Sequence, residues 1–66
     1  MKKFIKLPTL DKSYHYVRVK DIYRFMGYDI RESPIKSKVY LKNETTLNCI
    51  ISEEEVFELI KQATEI

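Results

Sequence analysis

Two short stretches in the C-terminal half of the chain alternate between polar and apolar residues, Lys38–Lys42 and Thr46–Ile51. An alternation with a period of two residues is typical of β-strands that have one buried face. The polar residues 43–45 between the two stretches predict a turn, so the segment is expected to form a β-hairpin. The apolar positions on the inner face of this hairpin are Val39, Leu41, Leu47, Cys49 and Ile51.

The residues after this hairpin predict an amphipathic helix that begins at Ser52. The Ser52 hydroxyl can cap the amide of Glu55, and the Glu55 carboxylate can reach back to the Ser52 amide, which makes a capping box. Ile51 and Val56 are spaced for a hydrophobic staple, and Glu53–Glu55 place negative charge at the positive end of the helix dipole. The apolar stripe of the helix consists of Val56, Leu59, Ile60 and Ala63.

The N-terminal third predicts a second hairpin. Its first strand, Lys3–Leu7, is expected to end at Pro8 because proline cannot donate a hydrogen bond to a sheet. Thr9–Ser13 is the predicted turn, and Tyr14–Val19 is the second strand. One face of that strand carries His15, Val17 and Val19, and the opposite face carries Tyr14, Tyr16 and Arg18.

Two interpretations fit residues 21–27. As a helix, the segment would begin at an Asp21 cap and end at Gly27, with apolar residues at helical spacing. As a strand, Ile22–Met26 would continue the sheet after a bulge, with Ile22 and Phe25 on opposite faces.

Together these elements predict a single α+β domain over residues 1–66. We expect a small antiparallel sheet of four to five strands, built from two hairpins and, in the strand interpretation, a middle strand. The C-terminal helix is expected to pack on one face of this sheet. Ile5 and Leu7 should join the inner faces named above in the core. Residues 28–37, with Pro34 and several charges, predict a loop that could serve as a contact site.

The face of the sheet away from the helix is rich in aromatic residues and cations. A second apolar surface on a small domain favours a binding partner. The predicted partner-binding residues are Tyr14, Tyr16, Arg18, Lys38, Tyr40 and Lys42, with Phe4 and Ile50 pointing the same way. A second copy of the chain or a bacterial host protein is the favoured partner. Single-stranded nucleic acid is the alternative, because bases stack on exposed rings and cations meet phosphates; a surface that merely faces water is the third interpretation.

Composition limits the classes of protein to which the chain can belong. One cysteine and one histidine among 66 residues leave no disulfide within the chain and argue against a zinc site, and no cofactor is expected. No apolar run approaches the roughly 20 residues that span a bilayer, and no signal-like segment is present, so a cytoplasmic protein without membrane contact is expected. A chain this short buries only about 60% of its unfolded surface, which favours a homodimer as an added source of stability.

Charge is unevenly distributed, although the net charge is only +2. Residues 1–42 carry eleven Lys and Arg against four Asp and Glu, and residues 43–66 carry one Lys against six Glu. This asymmetry fits an anionic partner for the basic part, or a dimer in which the acidic helix of one subunit lies near the basic sheet of the other. A solvated surface of mixed charge explains it equally well.

No catalytic, metal or phosphate motif is recognisable. His15 is expected to be a hydrogen-bonded residue of the core or its rim, and Cys49 a buried, inert thiol. Gly27 is the only glycine, which excludes a glycine-rich phosphate loop. Glu53–Glu55 are explained as the first turn of the helix. The chain is therefore not expected to be an enzyme.

Four segments resemble the small FlbD-type proteins, which are short bacterial chains of a few strands and one helix associated with flagellar and swarming functions, with similar chains in phage genomes. These segments are Phe4–Leu7, Val17–Ile22, Lys38–Asn43 and Ser52–Val56. The resemblance implies a β-rich layout with a strand at Val19–Ile22, which favours the strand interpretation of the middle segment. It carries over no functional residue, and the tight Asn-Gly turn of the family is replaced here by residues 43–45.

A shorter segment, Val19–Tyr28, is similar to the helical DI…LGY element of phage antirepressor domains of the Bro type. This second resemblance implies nucleic-acid binding by a short helix at residues 21–26 as the alternative function. The favoured prediction is a small non-enzymatic interaction protein, a homodimer that binds a macromolecular partner. Its length and charge suit a phage-encoded inhibitor or adaptor of a host protein.

Overall fold

The computed structural model describes residues 3–64. Its strands are β1 (Phe4–Pro8), β2 (Tyr14–Arg18), β3 (Ile22–Gly27), β4 (Ser37–Leu41) and β5 (Thr46–Cys49), followed by the helix α1 (Glu53–Thr64). A 3₁₀ turn at Val19–Asp21 joins β2 to β3. The α+β class, both hairpins and the C-terminal helix are confirmed.

The strands form two antiparallel sheets instead of the single sheet that was expected. β1 pairs with β2, and β3, β4 and β5 form the second sheet in that order. In the described part of the chain, the two sheets meet at one bridge between Thr9 and Cys49. Next to it, Ile50 N–H donates to Pro8 O at 3.2 Å. Pro8 has no N–H with which to bond to β5. This is one physical reason why the pairing between the two sheets does not extend along β1.

The middle segment is a strand, so the strand interpretation is confirmed and the helix at residues 21–26 is not formed. Its faces nevertheless differ from the expectation. The register between β3 and β4 shifts between Ile22 and Arg24, which marks a β-bulge. Because a bulge inserts one extra residue, Ile22 and Phe25 point to the same side, and both pack against the core. Their predicted separation onto opposite faces is wrong.

Helix α1 begins as the capping pattern predicts. Glu55 N–H donates to Ser52 Oγ at 3.2 Å, and Val56 N–H donates to Ser52 O at 3.0 Å. Among the hydrogen bonds of residues 3–64, the return bond from the Glu55 carboxylate to the Ser52 amide is not formed. The serine cap is therefore confirmed, and the reciprocal half of the capping box is not.

The core combines apolar side chains from both sheets and the helix. Its buried members are Ile5, Leu7, Val17, Val39, Leu47, Cys49 and Val56, all of them expected. Partly buried around them are Val19, Ile22, Phe25, Leu41, Ile51, Leu59, Ile60 and Ala63. Ser37 is also fully buried, and its hydroxyl donates to Ile51 O at 2.7 Å. This bond ties β4 to the residues that lead into the helix.

His15 is the exception to the predicted inner face. It pairs with buried Leu7 in the β1–β2 register, yet its own side chain is exposed and has no hydrogen-bond partner among the described residues. The helix packs mainly on β1 and β3, so the beginning of β2 is left uncovered. The expectation of a hydrogen-bonded histidine in the core or at its rim is therefore wrong.

Candidate interaction surface

The outer face of the first hairpin gathers exposed aromatic rings. The β1–β2 register places Phe4 opposite Arg18 and Lys6 opposite Tyr16, and these residues alternate with the buried positions of the two strands. Phe4 is 51% exposed, Tyr14 59% and Tyr16 68%. We call Phe4, Lys6, Tyr14 and Tyr16 the hairpin aromatic face.

Lys6 lies between the two tyrosines of this face. Its Nζ is 4.3 Å from the centroid of the Tyr14 ring and 6.0 Å from that of Tyr16. A cation at these distances is attracted to the electron-rich faces of both rings. The ammonium group therefore helps to hold the two rings in fixed positions beside each other.

Two further predicted residues border the hairpin aromatic face. Arg18 Nε lies 2.7 Å from Asp21 Oδ2, and both side chains are about one third exposed. Its charge is therefore largely compensated within the chain. Lys42, the first residue after β4, lines an open groove together with Phe4, Tyr16 and Arg18. This groove connects the hairpin aromatic face to the turn between β4 and β5.

The remaining predicted residues, Lys38 and Tyr40, lie on the second sheet. The Tyr40 ring stacks against Arg24, whose Cζ is 4.8 Å from the ring centroid, and Lys38 Nζ is 4.5 Å from the centroid of Tyr28. We call Arg24, Tyr28, Lys38 and Tyr40 the β4 face. The six residues that the sequence indicated are thus divided: Tyr14, Tyr16, Arg18 and Lys42 are brought together around the first hairpin, whereas Lys38 and Tyr40 are not.

Sequence reasoning missed Lys6, the central residue of the hairpin aromatic face. A signal was present, because Lys6 is two residues from Phe4 and therefore on the same side of an extended strand. Only the register shows that Lys6 lies directly opposite Tyr16. Tyr23 is also strongly exposed, at 71%, but it lies on β3 and outside the hairpin aromatic face.

Cys49 is fully buried, as expected. Burial raises the pKa of its thiol above the usual 9.0, and a hydrogen bond with Ser37 acts in the opposite direction. The thiol is therefore protonated at neutral pH, and the thiolate that would act as a nucleophile or metal ligand is scarce.

The described part of the chain holds no group of three or more His, Cys, Asp and Glu side chains arranged for a metal ion. Within residues 3–64, no helix has the length and apolar character needed to cross a membrane. Comparisons of the chain with protein-family models, with curated proteins and with solved structures give no match.

Proposed function

We propose that this chain is a small non-enzymatic interaction protein that forms a homodimer and binds a macromolecular partner through the hairpin aromatic face. The observation that carries this proposal is the exposure of Phe4, Tyr14 and Tyr16 side by side on one hairpin. Aromatic side chains supply much of the binding energy of protein interfaces. A domain of 66 residues also gains stability from a second copy.

Two contacts favour a protein partner over single-stranded nucleic acid. Lys6 Nζ sits over the ring of Tyr14 and occupies a position at which a base would stack. Arg18 is paired with Asp21, so its charge is less available to a phosphate group. Tyr14 and Tyr16 nevertheless remain 59% and 68% exposed and therefore available to a protein surface.

The proposal also includes a cellular location, a mode of action and an origin for the chain. A cytoplasmic location is supported by the single, buried and unpaired Cys49, because proteins of oxidising compartments commonly use disulfide bonds. The small size and the exposed binding face suit an inhibitor or adaptor that acts by occupying the surface of a larger host protein. The resemblance of four sequence segments to the FlbD-type proteins is the ground for proposing a bacterial or phage origin.

The double substitution Tyr14→Ser and Tyr16→Ser tests the proposal. We expect the dissociation constant of the dimer to rise roughly tenfold or more, because several aromatic contacts at about 0.2–1 kcal/mol each are lost. Sedimentation velocity over a range of protein concentrations measures the constant. Tyr23→Ser is the matched control, since Tyr23 is equally exposed but lies outside the hairpin aromatic face. A double variant that associates as wild type does would contradict the proposal.

Nucleic-acid binding is distinguished by its dependence on salt. Affinity for a labelled single-stranded oligonucleotide should fall steeply between low and physiological salt if phosphate contacts dominate. We expect no such binding at physiological salt and a protein dimer that is nearly indifferent to salt. Tight, salt-sensitive oligonucleotide binding that is lost in the double serine variant would assign the hairpin aromatic face to nucleic acid instead.

A further inference from the structure

The outer edge of β2 is open within residues 3–64, because β2 pairs only with β1. The hydrogen bonds at the two ends of the hairpin show which residues of β2 direct their backbone N–H and C=O groups toward β1 and which direct them outward. Val19 N–H donates to Lys3 O and Thr9 N–H donates to Ser13 O, each at 2.9 Å. These residues are the partners that the β1–β2 register predicts beyond its two ends.

Hydrogen-bonded and non-hydrogen-bonded pairs alternate along an antiparallel ladder. Val17 and His15 lie an even number of residues from Val19 and Ser13, which bond to β1. Their N–H and C=O groups are therefore directed toward β1 as well. Tyr14 and Tyr16 alternate with these residues, so both their N–H and their C=O groups point away from β1. Arg18 presents its N–H in the same direction. The open edge therefore carries a regular row of backbone donors and acceptors.

Apart from the charge of Arg18 at its end and its short length, this edge lacks the features that usually protect a strand edge from pairing with another chain. Such edges are commonly blocked by a proline, an inward charge, a bulge or a covering helix. β2 contains no proline, its pairing with β1 has no register shift, and α1 packs mainly on β1 and β3. The other open edge, on β3, is interrupted by the bulge between Ile22 and Arg24. The two edges thus differ in their capacity to add a strand.

We propose that β2 pairs antiparallel with β2 of a second copy of this chain, centred on Tyr16, which joins two hairpins into one four-stranded sheet. The proposal rests on the proposed homodimer and names its contact. A twofold axis through Tyr16 keeps the outer faces of both copies on the same side. Tyr16 N–H then donates to Tyr16 O of the second copy, and Arg18 N–H donates to Tyr14 O. Each of these bonds occurs twice because of the symmetry.

The charges are compatible with this register. Arg18 of one copy lies opposite the Tyr14 ring of the other, where it can make a cation–π contact instead of facing a second cation. His15, which is exposed in the single chain, lies opposite Val17 of the second copy on the inner side. The hairpin aromatic faces of the two copies become continuous and remain available to a further partner. Such a pairing buries less than a standard interface of about 1,600 Å², so we expect a micromolar dimer.

Amide hydrogen exchange of the wild-type protein tests this pairing without any substitution. The backbone amides of Tyr16 and Arg18 should exchange fast in dilute protein and become protected as the concentration passes the dimer dissociation constant. The amide of Phe25 is the internal control. Tyr28 N–H donates to Lys36 O of the neighbouring chain segment, so residues an even number of positions from Tyr28 bond to β4. Phe25 is an odd number of positions away, and its N–H therefore points to the open side of β3. Its exchange should not change with concentration.

N-methylation of the Tyr16 amide, in a chain assembled by chemical ligation, removes the donor and keeps the ring. We expect the dimer dissociation constant to rise at least roughly 30-fold, since two hydrogen bonds are lost across the twofold axis. N-methylation of Phe25 is the matched control and should leave association unchanged. Circular dichroism of both chains checks that the fold is retained.

The outcomes separate this inference from the proposed function. If N-methylation of Tyr16 and the exchange of the β2 amides have no effect while the Tyr14→Ser and Tyr16→Ser double variant dissociates, the copies associate through their faces and the edge pairing is overturned. If the wild-type chain is a monomer at millimolar concentration, the homodimer and the edge pairing both fail. Protection at Phe25 instead of Tyr16 would assign the contact to β3.

Discussion

Among residues 3–64, two residues other than glycine adopt left-handed backbone conformations, Lys12 with φ of 67° and Glu44 with φ of 69°. Each lies in the turn of a hairpin. Neighbouring side chains support these turns: Asp11 Oδ1 accepts from Thr9 Oγ1 at 2.6 Å, and Asn43 Oδ1 accepts from Thr45 N–H at 3.0 Å. The hydrogen bond from Thr9 also lowers the pKa of the Asp11 carboxyl group. Local polar contacts thus hold backbone conformations that the residues at 12 and 44 do not favour themselves.

Glu44→Gly should stabilise the protein by about 0.5–1 kcal/mol. Glycine removes the steric cost of the positive φ, which exceeds the extra conformational entropy that glycine brings to the unfolded chain. Urea unfolding followed by circular dichroism measures the change in the free energy of unfolding. Asn43→Ala in the same turn is the control and should be destabilising, because the Thr45 amide loses its acceptor. A destabilised Glu44→Gly variant would show that the Glu44 side chain makes a contribution larger than the strain.

At the scale of elements, the start of α1 shows which part of a local motif survives in the folded chain. The Ser52 hydroxyl caps the Glu55 amide, whereas the Glu55 side chain remains exposed without the reciprocal bond. Three glutamates in the first turn still interact favourably with the helix dipole. The serine is therefore the stronger contributor to the beginning of the helix.

Ser52→Ala should lower the free energy of unfolding by about 1 kcal/mol, the usual effect of removing a serine cap. Glu55→Ala should cost less, because the Glu55 side chain makes no reciprocal bond to Ser52 and mainly the interaction of its charge with the helix dipole is lost. Thermal or urea unfolding of both variants compares the two effects directly. An equal loss in the two variants would mean that the complete capping box forms in solution.

At the scale of the whole molecule, Val56 is the point at which both sheets meet the helix. It is fully buried in a cluster that includes Ile5 and Leu7 from the first sheet and Val39 and Leu47 from the second. Within residues 3–64, the direct backbone link between the sheets is short, a single bridge at Thr9 and Cys49. Cohesion between the two sheets therefore depends mainly on this shared core.

Val56→Ala should destabilise the protein by about 2 kcal/mol, from lost apolar burial and a residual cavity. Since both sheets share the core, amide protection in β1–β2 and in β3–β4–β5 should fall together. Hydrogen exchange measured by NMR reports both sheets in one experiment. Phe57→Ala is the control, because Phe57 is the next residue of α1 but is 55% exposed, and its replacement should have a small effect. Loss of protection in one sheet alone would indicate two independent folding units.

The sequence by itself determined the elements and most of the core. Alternation with a period of two residues located both hairpins, and the serine followed by glutamates located the helix, because these signals depend on residues that are near one another in the chain. The same alternation placed Tyr14 and Tyr16 on the outer side of β2, which the register confirms. Buried positions such as Leu7, Val39 and Val56 followed from the same patterns.

Only the tertiary structure decided how the strands and the helix are arranged relative to one another. The division into two sheets depends on how little of β1 meets β5: the bridge lies just beyond β1, between Thr9 and Cys49, which are about forty residues apart in the chain. This division separates Tyr40 from Tyr14 and Tyr16 and brings Lys42 to the first hairpin. The bulge turns Ile22 inward, and the position of α1 leaves His15 exposed. Each outcome depends on which distant backbone groups and side chains meet, and a periodic pattern within one segment carries no information about those contacts.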